Sequence, residues 1–404
     1  GKEGKHDEGR ACSGTCCRVL PFFSFVTFYL PASRPAVMMC ASSSTGDLSS
    51  LSSSASNSPA APSPLLLDRY EIRSTLGEGT YGTVYLALDS KTGDTVAVKM
   101  IRGNEDEEGI PSTSLREVAL LREISHHNLV KLYDIHCKQR HLYMVFEYVQ
   151  TDLRHLIRRT ATTQGGNSAS TTSADTAAMA PTTSNSNSTK KDHPVPVGLP
   201  ADLLKSLSYQ LINGLAHLHG HQIVHRDMKP QNILIDQRGY LKIADFGLAR
   251  MHCIGVYTGT QDVITLWYRP PELLLGQRVY GTEVDIWAAG CIIAEMATGR
   301  PLFPGDSEVD TLFKTCQLLG SPTEDTWPGM KNTLTEWRDE FPKWRSVHPF
   351  TALRKAIPTD NMPDEGIDML ANMVRYPPAS RHSACRLLTH PFFDSVHKQA
   401  FEQP

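Results

Sequence analysis

Apolar residues change their spacing along this chain, from every second residue to every third or fourth. Between 70 and 100 they fall in alternating stretches broken at Gly93-Asp94, a hairpin-type turn; these residues include Leu76, Val84, Leu86, Val96 and Val98. Apolar side chains at every third position predict a helix over 114–124, and 143–148 reads as a short buried strand. From residue 201 helical spacing dominates, over 203–219, 284–298 and 309–319. The pattern predicts an α+β protein with a β-rich first part and a mostly helical second part.

Two stretches interrupt this pattern because their composition changes. Serine makes up ten of the twenty residues at 41–60, and serine or threonine fourteen of the thirty at 161–190. Such segments bury too little apolar surface to offset the entropy cost of ordering them. We therefore expect a disordered or non-native extension at 1–69, a first lobe at 70–149, a second lobe at 150–393 with a flexible insertion at about 160–200, and a tail at 394–404.

An apolar run of twelve residues, 19–30, stands near the start of the chain and contains Pro21. A membrane span needs about 20 residues, so this run is too short and no membrane association is expected. Its length suits the apolar core of a secretory signal. Because Met38-Met39 opens a polar segment directly afterwards, we favour the interpretation that residues 1–37 do not belong to the functional protein. A signal peptide is the less favoured alternative.

Charge and cysteine content exclude several classes of protein. The net charge of −3 and the pI near 6.6 give no general attraction to nucleic acid or to anionic membranes. Nine cysteines lack the paired CxxC spacing of zinc sites, and the group at Cys12, Cys16 and Cys17 has no partner ligands at suitable spacing. We expect reduced thiols and a cytoplasmic or nuclear location.

The most informative chemistry lies in His225-Arg226-Asp227-Met228-Lys229-Pro230-Gln231-Asn232, followed by Asp245-Phe246-Gly247. These residues resemble the H-R-D-x-K-x-x-N and D-F-G elements of protein kinases. The resemblance implies a two-lobed kinase fold, with a β-rich N-lobe and a helical C-lobe, and ATP and Mg²⁺ as cofactors. It also implies that Asp227 orients the substrate hydroxyl and accepts its proton, that Lys229 steadies the γ-phosphate, and that Asn232 and Asp245 hold Mg²⁺.

A glycine-rich stretch and a lysine precede these motifs. The stretch reads Gly77-Glu78-Gly79-Thr80-Tyr81-Gly82-Thr83-Val84, and Lys99 lies in the next predicted strand. Glycines let a turn close over phosphates without side-chain collisions. No helix follows the glycines, which excludes a dinucleotide-binding fingerprint, and no Gly-Lys-Ser/Thr is present, which excludes a Walker loop. We expect Lys99 to hold the α- and β-phosphates and to pair with Glu117 on the predicted helix.

Further motifs narrow the resemblance to the cyclin-dependent kinases. Pro111-Ser112-Thr113-Ser114-Leu115-Arg116-Glu117 is similar to the PSTAIRE helix of that family, and 302–310, LFPGDSEVD, resembles one of its signatures. The resemblance covers about residues 70–393. It implies a cyclin subunit bound through the 111–117 helix, an adaptor of the Cks type near 305–310, and protein substrates phosphorylated at Ser-Pro or Thr-Pro.

The same resemblance assigns the adenine and ribose contacts. Phe146 is the expected gatekeeper behind the base, Glu147–Val149 the hinge, and Asp152 the ribose-contacting acid. Four apolar residues are expected to sandwich the base, and ordinary core packing is the alternative for them: Leu76, Val84, Ala97 and Leu234.

Regulatory residues follow from the family pattern as well. Counting back from 265–269 makes Thr260 the expected activating phosphosite, and three arginines are expected to receive its phosphate: Arg116, Arg226 and Arg250. Thr80 and Tyr81 are expected to be inhibitory phosphosites.

Departures from the family leave alternatives open. Arg269-Pro270-Pro271-Glu272 resembles the transcriptional branch of the family, whereas 111–117 and 302–310 resemble the cell-cycle branch. A mitogen-activated kinase would need Thr-x-Tyr where Thr258-Gly259-Thr260 stands. A pseudokinase scaffold would be expected to lack one of three residues that are all present: Lys99, Asp227 and Asp245.

Overall fold

The computed structural model describes residues 65–79, 82–102, 124–138, 141–163, 198–245, 250–251 and 266–396. These residues belong to one compact unit, Ala60–Pro404. Within the described parts, none of the helices combines the length and the apolar content that crossing a membrane requires.

The first part is a six-stranded antiparallel sheet with strand order β1-β2-β3-β4-β6-β5. Its strands are β1 (Leu65–Leu66), β2 (Tyr70–Gly79), β3 (Gly82–Asp89), β4 (Thr95–Arg102), β5 (Leu132–Lys138) and β6 (His141–Glu147). The hairpin expected at Gly93-Asp94 is confirmed, because Gly93 has a left-handed φ of 78°. Its N–H donates to the Asp89 carbonyl over 2.8 Å.

The alternating apolar residues of the sequence divide between the two faces of this sheet, with Val96 and Val98 on one face and Val84 and Leu86 on the other. Val96 and Val98 pack with Tyr70, Ala87, Tyr143 and Val145 in one apolar cluster. Strand β1 begins a few residues before the predicted boundary at 70, because Leu66 and Leu67 also pack against this cluster. Composition gave no sign of this short strand, since two residues have no periodicity to detect.

Five short strands and a first helix follow the large sheet along the chain. The strands are β7 (Thr151–Asp152), β8 (Ile223–Val224), β9 (Ile233–Ile235), β10 (Leu241–Ile243) and β11 (Arg250–Met251), and the helix is α1 (Leu153–Thr163). They form the sheets β10-β9-β7 and β11-β8. The catalytic loop expected from the HRD motif, 225–232, lies between β8 and β9, so the two small sheets hold both of its ends.

The helical part contains α2 (Ala201–Gly220), α3 (Pro271–Leu274), α4 (Glu283–Thr298), α5 (Glu308–Leu319), α6 (Met330–Thr333), α7 (Pro349–Ala356), α8 (Asp364–Met373) and α9 (Ala384–Leu387). Short 3₁₀ turns lie at Pro230–Asn232, Pro378–Ser380 and Pro391–Phe393. The three helices predicted from apolar spacing correspond to α2, α4 and α5. Helix α4 is buried from Val284 to Ala297 and lies at the centre of the core. The helix predicted over 114–124 falls almost wholly outside the described residues.

Candidate active site

A buried carboxylate on α4 shapes the catalytic loop. Asp285 accepts the N–H groups of His225 and Arg226, each over 2.8 Å, and its Oδ2 lies 3.0 Å from His219 Nε2. Burial alone would raise the pKa of Asp285, but the hydrogen bond from His219 and the neighbouring charges hold it below its usual value. The ionised carboxylate therefore supports the left-handed φ of 75° at Arg226, which a non-glycine residue seldom adopts.

The three residues predicted from the HRD motif form one hydrogen-bonded cluster. Lys229 Nζ lies 2.8 Å from Asp227 Oδ2. Asn232 Nδ2 donates to that same Oδ2 over 3.0 Å and to the Asp227 carbonyl over 2.8 Å. The other carboxylate oxygen, Asp227 Oδ1, is buried and bonds to nothing within the described residues. One oxygen of Asp227 thus holds the carboxylate in place, and the second remains as an acceptor.

Asp245 lies next to this cluster. His225 Nε2 donates to the Ala244 carbonyl over 3.0 Å, and the Ala244 N–H donates to the Asn232 carbonyl over 2.8 Å. These bonds hold the segments that carry Asn232 and Asp245 next to each other. Asp245 has a left-handed φ of 63°, a second strained residue at the same place.

Lys99 joins the sheet to the same position. Its Nζ lies 3.0 Å from Asp245 Oδ1. Burial works against ionisation of Asp245, but the charge and hydrogen bond of Lys99, with help from His225 and Lys229, lower its pKa. The predicted partner of Lys99, Glu117, lies outside the described residues, so that pairing stays a prediction.

The donor set suits a hard divalent cation. Asp245 is an ionised carboxylate, and Asn232 keeps its Oδ1 because its Nδ2 makes both bonds to Asp227. Within the described ranges no cluster of three or more His, Cys, Asp or Glu side chains could hold a metal by itself. Mg²⁺ is usually bound by one or two protein oxygens together with water and phosphates, and Asn232 and Asp245 could supply such oxygens.

Residues predicted to contact the nucleotide share one face of the large sheet. Val84 is opposite Lys99, and Ala97 is opposite Phe146, in the antiparallel register. Opposite residues project to the same side, so all four lie on the face that reaches Asp245. The buried Val96 and Val98 project to the other face. Leu76 lies on β2 where the register to β3 shifts, and is 46% exposed.

The glycine-rich turn is described up to its tip. Gly77, Glu78 and Gly79 pair with Val84, Thr83 and Gly82 across the hairpin. At Gly82 φ is 152°, and a Cβ would lie 1.9 Å from the Met100 carbonyl oxygen. Only glycine therefore fits this position. Thr80 and Tyr81 lie outside the described residues.

Among the hinge residues, Glu147 already has hydrogen-bond partners within the protein, whereas the main chain of Val149 has none within the described residues. Glu147 Oε1 accepts the Lys131 N–H over 2.7 Å and pairs with Lys242 Nζ at 2.9 Å, and the Glu147 N–H donates to the Lys131 carbonyl over 3.0 Å. The main chain of Val149 has no hydrogen bond to any part of the chain that the structure describes. The backbone groups that could bind a base therefore lie at Val149 rather than at the Glu147 N–H.

Asp152 and Leu234 face each other in the β7–β9 pair. Asp152 Oδ1 accepts the His155 N–H over 2.8 Å, and its Oδ2 lies 2.7 Å from His155 Nδ1. The residue predicted to contact ribose therefore also caps the start of α1.

The regulatory arginines are only partly described. Arg226 stacks over the Tyr280 ring, with its guanidinium carbon 5.3 Å from the ring centroid, and donates a hydrogen bond to the Tyr280 hydroxyl. The main chain of Arg250 pairs with Val224, two residues before Arg226. Arg116 and Thr260 lie outside the described residues, so the phosphate site remains a prediction.

Sequence reasoning missed three structural partners of the site. Asp285 and His219 hold the catalytic loop, and Tyr280 binds Arg226. A carboxylate within the apolar stretch of a predicted helix was the available signal for Asp285, because a buried acid needs partners, but Glu295 in the same helix gives the same signal. The partners themselves could not be derived from spacing, since they lie about 60 residues away along the chain.

A family model described as "Protein kinase domain" matches residues 70–393, most of the chain. The antiparallel sheet and the helical part correspond to the β-rich N-lobe and helical C-lobe of the two-lobed kinase fold. Proteins of this family generally use ATP and Mg²⁺. This match shows that the chain belongs to the protein kinase family, and the HRD cluster and the Lys99–Asp245 pair agree with it.

Proposed function

We propose that this protein is a cyclin-dependent Ser/Thr kinase that transfers the γ-phosphate of ATP to Ser-Pro or Thr-Pro sites of proteins, with a role in cell-cycle control. One observation carries the enzymatic part of the proposal. Asp227 has one oxygen fixed by Lys229 and Asn232, while its other oxygen is buried and unbonded within the described residues. A pseudokinase has no need for a carboxylate arranged in this way.

The chain's own residues divide the chemistry among them. Asp227 Oδ1 can accept the proton of a substrate hydroxyl while Oδ2 keeps the carboxylate oriented. Asn232 Oδ1 and Asp245 would hold Mg²⁺, and Lys99 would bind phosphate oxygens beside Asp245. When bound, ATP supplies the phosphoryl group and Mg²⁺ neutralises charge on the phosphates. Lys229 places a second positive charge where negative charge develops.

Sequence motifs support the cyclin-dependent part of the proposal. The 111–117 helix resembles the cyclin-binding helix of that family, and 302–310 resembles another of its signatures. We favour the cell-cycle branch because two motifs resemble it, whereas 269–272 alone resembles the transcriptional branch. A cyclin, an adaptor of the Cks type near 305–310 and a cytoplasmic or nuclear location belong to the same proposal.

The test compares the purified chain alone with the chain mixed with each cyclin of a panel. We expect weak phosphorylation of a Ser-Pro peptide by the chain alone and a large increase with one class of cyclin. A Ser-Ala peptide is the matched substrate control, and Lys99→Met is the inactive control. Full activity without a cyclin would overturn the cyclin-dependent assignment but leave the kinase assignment intact.

A further inference from the structure

A cavity of about 310 Å³ lies in the helical part, away from the candidate active site. It opens between the end of α5, the segment 346–349 that leads into α7, and the segment 374–380 that follows α8. None of the residues assigned to catalysis or nucleotide binding lines it. Its volume is at the small end of the range found for small-ligand sites.

The walls of this cavity are held by specific contacts. The Tyr376 hydroxyl donates to the Gly320 carbonyl and lies 3.6 Å from Cys316 Sγ. The Tyr376 ring stacks on Trp327 with centroids 6.0 Å apart, and the Val347 N–H donates to the Leu319 carbonyl over 3.2 Å. The cavity is therefore a formed feature of the fold rather than a gap beside a loosely packed turn.

Close backbone contact fixes one edge of the cavity. Gly320 has a left-handed φ of 84°, and a Cβ there would lie 2.4 Å from the Ser346 Cα. The chain after α5 and the segment before α7 can approach this closely only because residue 320 is glycine.

The lining combines apolar walls with basic and hydroxyl groups. Leu319, Val347 and Val374 supply aliphatic surface, and no Asp or Glu is among the lining residues. Arg375 donates from Nε to the Ala371 carbonyl over 3.0 Å and from Nη2 to Asn372 Oδ1 over 2.6 Å. Both acceptors are neutral, and across the described ranges Arg375 forms no ion pair. A carboxylate lies one hydrogen bond further on, because Asn372 Nδ2 also donates to Asp368 Oδ2 over 3.3 Å, so the guanidinium has neutral groups as its direct acceptors.

His348 adds a second donor to the lining. Its Nδ1 accepts the Phe350 N–H over 3.3 Å, so the proton of the neutral ring is on Nε2. Thr326, Ser346 and Ser380 add hydroxyl groups around the same cavity. The polar side of the lining thus offers donors and a positive charge, which favours an anionic ligand over a cationic one.

We propose that this cavity binds a small amphipathic anion, a carboxylate or phosphate monoester with a short alkyl or aryl body. The body packs against Leu319, Val347 and Val374, and the anionic group pairs with the guanidinium of Arg375. Arginine suits this role because its planar donors match carboxylate and phosphate oxygens. The proposal concerns a site separate from the kinase chemistry and does not depend on cyclin binding.

The test is a titration of the full chain, labelled at Leu and Val methyl groups, followed by NMR. Octanoate and octyl phosphate are the anionic probes, and 1-octanol is the neutral match. We expect saturable shifts at the methyls of Leu319, Val347 and Val374 with one or both anions. Arg375→Gln should raise their Kd at least tenfold, whereas Arg386→Gln, an exposed arginine outside the cavity, should leave it unchanged.

A second variant separates loss of binding from loss of folding. Thr326→Trp places an indole at the exposed mouth of the cavity and leaves Arg375 in place, so it should abolish the shifts while methyl spectra elsewhere stay unchanged. The proposal is overturned if neither anion shifts these methyls. It is also overturned if 1-octanol binds as tightly as the anions, or if folded Arg375→Gln keeps the wild-type Kd.

Discussion

The two carboxylate oxygens of Asp227 lie in different environments, and this difference predicts how replacing Asp227 changes activity. Oδ2 is bonded to Lys229 and Asn232, and Oδ1 is the remaining acceptor. Asp227→Asn should lower kcat by about 10²–10⁴-fold, the usual contribution of a positioned base. ATP binding should stay close to that of the wild type, because the residues expected to bind phosphates are unchanged.

Steady-state peptide phosphorylation and a fluorescent-nucleotide titration measure these two quantities. Asp394→Asn, an exposed aspartate in the same part of the chain, is the matched control and should leave both values unchanged. Wild-type kcat in Asp227→Asn would exclude Asp227 as the base.

At this scale the sequence predicted which residues meet but not what orients them. Asp227, Lys229, Asn232 and Asp245 were named from the resemblance to the protein-kinase motifs, and the structure brings all four together. Asp285 was not assigned to the site, because its contacts with His225 and Arg226 depend on how α4 packs beneath the loop. Packing of distant segments leaves no local pattern in the sequence.

Among the structural elements, the β2–β3 hairpin depends on one glycine more than on another. A Cβ at Gly82 would lie 1.9 Å from a backbone oxygen, whereas a Cβ at Gly77 would meet nothing within 4 Å. Gly82→Ala should therefore lower the free energy of unfolding by about 1–3 kcal/mol, since the backbone must move. Gly77→Ala should change it by less than about 1 kcal/mol in either direction. Urea denaturation of the two variants measures both free energies of unfolding. Equal losses would contradict the prediction that only Gly82 must be glycine.

Four histidines link a loop to helix α2 and make the helical part sensitive to acid. The ring centroid of His126 lies 4.1 Å from that of His127 and 4.6 Å from that of His217. The ring centroids of His217 and His221 are 4.5 Å apart. Burial and the neighbouring His127, His217 and Lys242 lower the pKa of His126 to about 3. Burial, with His221 and His127, also lowers the pKa of His217.

The sign of the pH effect follows from these depressed pKa values. Below about pH 6.5 the unfolded chain binds protons that the folded stack does not, so stability falls as the pH drops toward the folded pKa values. We expect His126 to contribute a loss on the order of 1 kcal/mol between pH 7 and pH 5, because its partial exposure reduces the full linkage effect. His126→Phe should flatten this acid slope in urea titrations. His155→Phe, at a side chain that is 70% exposed, should not flatten it.

The accuracy of the predicted elements depended on their length. Helices α2, α4 and α5 begin and end within two residues of the ranges predicted from apolar spacing, because several turns of repeat specify a helix well. Strands β7 to β11 have two or three residues each and were not predicted. They form because flanking segments pack together, so their residues need no alternation of their own.

On the scale of the whole molecule, the two lobes meet through main-chain bonds as well as through Lys99 and Asp245. The Val130 N–H donates to the Ile243 carbonyl over 2.9 Å, and the Ile243 N–H donates to the Asn128 carbonyl over 2.8 Å. The segment before β5 is thereby tied to β10, two residues before Asp245. A change in one lobe can therefore reach Asp245, the expected Mg²⁺ ligand, through a short covalent and hydrogen-bonded path.

Activation of the whole molecule leads to the last prediction. Arg226 is bound by Tyr280 here, through a hydrogen bond and a ring contact. Under the proposed function, a phosphate on Thr260 would pair with Arg226, Arg116 and Arg250. It would thereby link the 111–117 helix, the catalytic loop and the segment that carries Thr260. Thr260→Ala should therefore lower activity by at least tenfold even with a cyclin bound, and Thr258→Ala should lower it much less. Peptide phosphorylation by the two cyclin-bound variants measures the two losses of activity, and phosphosite mapping shows which threonine carries the phosphate. If the effects were reversed, Thr258 would be the switch, and the register counted from 265–269 would be wrong.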